Sequence, residues 1–153
     1  MKFWDASAVV PLLIDEDTSQ AVGAVRRADS LMAVSWLTVV ECASAIARAE
    51  HEQMLDQHEA AAAFTRLDDL ARVWTEVEPA SDLRDIARRL LRAYRLRAGD
   101  AIQLASATLA AERRPATLEL VTLDDRLETA ALKEGFVVIF PGRDASSGSA
   151  QSR

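Results

Sequence analysis

Lys2-Phe3-Trp4-Asp5-Ala6-Ser7-Ala8 opens the chain with a short apolar run that ends on an acid and passes into a helix-like stretch. Val121-Thr122-Leu123-Asp124-Asp125-Arg126-Leu127 makes the same passage near the other end. Working outward from these, short segments at 2–4, 31–34, 73–77, 118–122 and 136–140 carry the β-branched and aromatic residues expected of buried parallel strands. Helix-like stretches lie between them, at 8–14, 18–28, 37–51, 55–71, 81–95, 100–112 and 125–133. Over 81–95, for example, Leu83, Ile86, Ala87, Leu90 and Tyr94 recur on one helical face. This alternation predicts an α/β fold of three layers, with a central, mainly parallel sheet of about five strands between helices.

Composition sets the limits. A chain of 153 residues, 50% of them hydrophobic, supports one domain with a substantial core, expected over 1–141. From Gly142 onward Ser, Gly and Ala dominate, and 142–153 is expected to be a disordered tail. The single cysteine, Cys42, cannot form an intramolecular disulfide, and no basic start leads into a long apolar stretch, so a cytoplasmic location is expected. The longest mainly apolar stretch, 31–40, is far shorter than the ~20 residues of a membrane span. A net charge of -6 repels nucleic acid globally, so any phosphate contact requires a local basic patch.

Four acids, Asp5, Glu41, Asp100 and Asp124, each fall where a strand or loop hands over to a helix. In open α/β sheets ligands collect outside the carboxyl ends of the strands. Were all four gathered there at ~6 Å, each pair would repel by roughly 3 kcal/mol at an effective dielectric of ~20, on the order of 15 kcal/mol in total. That rivals the stability of a domain. Such a cluster takes up protons or binds a hard divalent cation such as Mg2+ or Mn2+. Taken singly, each acid has a plainer explanation. Asp5, Asp100 and the Asp124/Asp125 pair suit helix caps, and Glu41 three residues after Thr38 suits a capping box.

The local sequences around the acids carry a resemblance. The opening Lys2-Phe3-Trp4-Asp5-Ala6-Ser7-Ala8 resembles the first motif of PIN-domain proteins, and Ser35-Trp36-Leu37-Thr38-Val39-Val40-Glu41 is similar to their second. Gly99-Asp100-Ala101-Ile102-Gln103-Leu104-Ala105 resembles the third and Val121-Thr122-Leu123-Asp124-Asp125-Arg126-Leu127 the fourth, in matching order. The chain looks most like the VapC-type toxin ribonucleases of toxin-antitoxin pairs. The resemblance implies a PIN-like fold in which Asp5, Glu41, Asp100 and Asp124 bind Mg2+ or Mn2+ and carry catalysis, with Ser7, Thr122 and Asp125 as accessories. It implies hydrolysis of RNA phosphodiesters to 5'-phosphate and 3'-hydroxyl ends, a homodimer, and an antitoxin that covers the cleft. Residues 51–64 are the expected clamp facing that antitoxin.

Arg84, Arg88, Arg92 and Arg95 recur on the helix leading to Asp100, flanked by Arg89 and Arg97; they would guide RNA or dock the antitoxin, or form a solvated face with Asp85 pairing to Arg88 or Arg89. His51 and His58 lie away from every motif and are expected at the surface. Trp36, Trp74, Met32, Met54, Leu55 and Phe64 are expected mainly in the core, with some free to line an interface. Two alternative functions remain. One is a catalytically silent PIN-like interaction module. The other is a phosphatase resembling the haloacid dehalogenases, with Leu12-Leu13-Ile14-Asp15-Glu16-Asp17 as its nucleophile loop; Pro11 counts against the strand that this loop requires.

Overall fold

The computed structural model describes residues 1–143. Five short strands, β1 (Lys2–Trp4), β2 (Met32–Ser35), β3 (Thr75–Val77), β4 (Glu119–Val121) and β5 (Val137–Ile139), form one parallel sheet in the order β3-β2-β1-β4-β5. Seven α-helices connect them: α1 (Ala6–Leu13), α2 (Ser19–Ala28), α3 (Thr38–His51), α4 (Gln57–Ala71), α5 (Ser81–Ala93), α6 (Ala98–Ala110) and α7 (Asp125–Lys133).

Strand pleating sorts the side chains into two cores. Phe3 is in register with Ala33 on one side and Leu120 on the other. All three are buried against Leu83, Ile86 and Leu90 of α5, Leu104 of α6 and Leu127 of α7. Trp4, Val34 and Val121 pack into the other core with Val9 of α1, Val22 of α2, Ile46 of α3 and Leu67 of α4. Two apolar layers therefore sandwich the sheet, as the alternating pattern predicts.

Element ends differ from the expectation where caps decide them. Asp5 caps α1, its Oδ2 accepting from the Ser7 amide at 3.3 Å, so the helix starts at Ala6 and not at residue 8. α6 starts at Ala98, which puts Asp100 inside the first turn and not at the cap. There its carboxylate accepts the Arg97 amide at 3.1 Å, the backward-reaching half of a capping box. At the start of α2 the Thr18 side chain makes no capping bond, and the Ser19 hydroxyl accepts the Glu16 amide and donates to the Pro11 carbonyl. The phosphatase reading fails on this ground too, since helix α1 occupies the place of its strand and Asp15 and Asp17 are exposed.

Of the large apolar side chains, Met32 and Trp74 are core residues, whereas Trp36 and Met54 are 48% and 72% exposed, against the core packing expected of them. Of the tail, residues 144–153 lie outside the described residues. Arg143 pairs with Asp125 and Glu128 and stands 3.5 Å above the Phe140 ring. Among the described residues no helix is long and apolar enough to cross a membrane.

Candidate active site

Strands β1 and β4 are neighbours in the sheet, yet the helix after β1 packs on one face and the helix after β4 on the other. A crevice opens outside the strand ends at such a reversal. The Asp5 amide donates to Val121 O at 3.0 Å, extending the β1–β4 ladder by one residue and setting Asp5 at the floor of that crevice.

Asp5 is buried. Its Oδ2 accepts from the Ser7 hydroxyl and from Thr122 Oγ1 at 3.0 Å. Each hydroxyl also accepts an amide, that of Leu123 at 2.9 Å for Ser7 and that of Asp124 at 3.0 Å for Thr122. The two hydroxyls are thus oriented on both sides, and they saturate one oxygen of Asp5. Asp124 in turn caps α7, with Oδ1 accepting the amides of Arg126 and Leu127 at 2.8 and 3.0 Å.

Glu41 comes to the crevice from the first turn of α3. The capping box expected with Thr38 is absent, because Thr38 already lies within the helix and no side chain caps it. Instead Gln103 of α6 donates through Nε2 to Glu41 Oε2 at 2.6 Å and to Thr38 Oγ1 at 3.1 Å. The other Glu41 oxygen presses on Gly99, where a built Cβ would lie 2.7 Å from Oε1.

The proton affinities of these acids link them in order. Burial, with the charge of Glu41 added, pushes Asp5 from 3.8 up to about 6 in spite of the hydrogen bonds from Ser7 and Thr122. Burial also raises Glu41, opposed by the Gln103 hydrogen bond and helped by the charge of Asp100. Asp100 is raised by burial, lowered by the Arg97 amide and raised by the charge of Asp124. Each acid therefore feels the charge of the next. Burial and the neighbouring acids also push the Cys42 thiol up to about 12, leaving it protonated and inert.

All four acids lie at helix N-termini, whose partial positive charge contributes roughly 0.3–1 kcal/mol each. Among the described residues, no three Asp, Glu, His or Cys side chains stand close enough to enclose an ion. The hard oxygen donors nevertheless fit Mg2+ or Mn2+ chemically, since Mg2+ commonly keeps several waters and takes only one or two carboxylates.

The accessories divide. Ser7 and Thr122 are at the site, whereas the exposed Asp125 carboxylate pairs with Arg143. Arg84, Arg88, Arg92 and Arg95 are exposed, and Arg88 and Arg92 line an open groove on α5. Arg89 pairs with Glu134 and not with Asp85. Arg97 and Arg126 both lower Asp100 by their charge. His51 and His58 are exposed. Gln103, Gly99 and Arg126 drew no role from sequence, although the helical spacing of 99 and 103 on either side of Asp100 was the available signal.

A five-stranded parallel sheet flanked by helices, with acids at the helix starts beyond its strand ends, defines an α/β domain. The family profile of the PIN domain matches residues 2–133, and the chain belongs to the PIN domain family. Its fold is that of FitAcB from Neisseria gonorrhoeae, at a TM-score of 0.64 and 19% identity over 92% of this chain and 98% of that one. PAE2754 from Pyrobaculum aerophilum is similar at 0.60 and 23% identity, covering 90% and 87% of the two chains. A toxin-antitoxin complex from Klebsiella pneumoniae matches at 0.60 and 19%, covering 92% and 98%. At these identities the likeness is one of fold. No curated protein sequence matches the chain.

Proposed function

We propose that this PIN domain is a Mg2+- or Mn2+-dependent endoribonuclease, the toxin of a toxin-antitoxin pair, with Asp5, Glu41, Asp100 and Asp124 as its metal-holding and catalytic set. The observation that carries this reading is the buried Asp5 carboxylate at the β1–β4 reversal, with one oxygen held by two oriented hydroxyls and the charge of Glu41 beside it. A carboxylate held rigidly in a crevice, against the cost of its burial, is the kind of group that a cation would complete.

Bound there, a divalent ion would polarise a phosphoryl oxygen and lower the pKa of a water. The chain's own residues do the rest. Ser7 and Thr122 hold Asp5 by one oxygen, α7 holds Asp124 by its Oδ1, and Gln103 holds Glu41 by Oε2. One oxygen of each carboxylate is therefore committed to orientation while the second remains available. Arg97 and Arg126 beside Asp100 supply the local positive charge that an RNA phosphate requires on a chain of net charge -6. Hydrolysis would leave 5'-phosphate and 3'-hydroxyl ends.

The reading includes an antitoxin that covers the cleft, a homodimer and a cytoplasmic location; that one of the similar folds is a toxin-antitoxin complex supports the first. Purified protein incubated with mixed RNA should cleave it only with Mg2+ or Mn2+ present, and Asp5→Asn and Asp100→Asn should lose that activity. Equal activity in all three proteins would reject the reading. Absence of cleavage with every RNA would favour the silent interaction module.

A further inference from the structure

Gln103 is 1% exposed, and its Nε2 is the only part of the amide that finds partners; Oε1 is buried without one. A carboxamide left half-satisfied in a core weakens the fold relative to an apolar side chain of the same shape. The two bonds it does make both go to α3, to the Thr38 hydroxyl and to Glu41 Oε2. One turn earlier on the same helix face stands Gly99, whose missing side chain is the space into which Glu41 Oε1 fits. Alanine is the better helix former, so the helix itself does not call for glycine there.

We propose that Gly99 and Gln103 form a seat on α6 that positions the Glu41 carboxylate beside Asp100, making them positioning residues for divalent-ion binding; this rests on Glu41 being a metal ligand. The amide can only donate toward Glu41, because the Thr38 hydroxyl and the carboxylate both accept from the same NH2 group. It therefore fixes which oxygen is spent on the protein and which stays free. Gly99 supplies the depth: a methyl group there would push the carboxylate out of its place.

The test is Mn2+ titration calorimetry on the full chain, with thermal unfolding of the metal-free proteins alongside. Residues that orient a metal ligand typically change affinity by roughly 10- to 100-fold when removed. Gln103→Met and Gly99→Ala should each weaken Mn2+ binding by about 10-fold or more, with both metal-free proteins still unfolding in one cooperative transition. In a Glu41→Gln background neither substitution should weaken binding further, since both act through that carboxylate. Unchanged Mn2+ affinity in Gln103→Met and Gly99→Ala, while Glu41→Gln weakens it, would overturn the seat and leave the metal reading intact. The same two losses persisting undiminished in the Glu41→Gln background would also overturn it, by revealing a general disturbance of α6. If Glu41→Gln itself left Mn2+ binding unaltered, the assignment of Glu41 as a ligand would fall, and the seat with it.

Discussion

Asp5 concentrates the physical conflict of this domain in one side chain. Its folded pKa of about 6 stands above its ordinary 3.8, so the folded state holds the proton more tightly than the unfolded chain does. The corresponding stability is fully present below about pH 3.8 and is lost as pH rises through about 6. The full loss is on the order of 3 kcal/mol. Metal-free Asp5→Asn should therefore be more stable than the parent at pH 8 and should show a flatter dependence between pH 4 and pH 6, read from urea unfolding at each pH. A parent whose stability does not fall across that window would contradict the burial argument. Thr122→Val, which removes a donor to Oδ2, should steepen the parent's loss by raising Asp5 further, because a hydrogen bond to the charged form is what holds its pKa down.

At the level of elements, helix N-termini do most of the site building. Asp5, Glu41, Asp100 and Asp124 each ride on the first turn or cap of α1, α3, α6 or α7, so the placement of four helices becomes the placement of four charges. The two arginines flanking this arrangement, Arg97 before α6 and Arg126 in α7, should be the ones that meet RNA. In an Asp5→Asn background, which leaves the RNA intact, Arg97→Ala and Arg126→Ala should each reduce the salt dependence of RNA binding by roughly 0.7 in slope per lost contact. Arg88→Ala and Arg92→Ala, on the outer groove of α5, should leave the slope unaltered; the reverse pattern would move the RNA path onto α5. Away from the cleft, α4 has a complete capping box, with Asp56 accepting the Glu59 amide at 2.7 Å and Glu59 accepting the Asp56 amide at 2.8 Å. Asp56→Ala should cost about 1 kcal/mol in urea unfolding with no change in Mn2+ affinity.

For the whole molecule, divalent ions and stability should be linked. An ion that binds only the folded state stabilises it by about 2.7 kcal/mol at a hundred times its dissociation constant. Mn2+ should raise the melting temperature of the parent and fail to raise that of Asp5→Asn. Equal shifts in the two would mean that the ion binds somewhere else. Trp36, just before α3, and Val40, in its first turn, are 48% and 55% exposed and offer apolar surface to a second copy. Light scattering should return twice 16.7 kDa; a monomer would leave that surface to another partner.

The alternation of short apolar strands with longer amphipathic helices was enough, by itself, to determine a parallel α/β sandwich. Strand pleat and helix periodicity are local properties, and Leu83, Ile86, Ala87 and Leu90 went to the core that their spacing predicts. That the four acids stand at helix starts was legible from their neighbours, because each motif is a contiguous stretch. Contacts between distant segments were decided only in the folded molecule: Gln103 reaching Glu41 across 62 residues, Gly99 making room for it, and Asp125 turning to Arg143. So were the exposure of Trp36 and the start of α6 at Ala98. A chain fixes periodicity over a few neighbouring residues, whereas the partner of a buried amide or carboxylate depends on how two helices come to lie against each other.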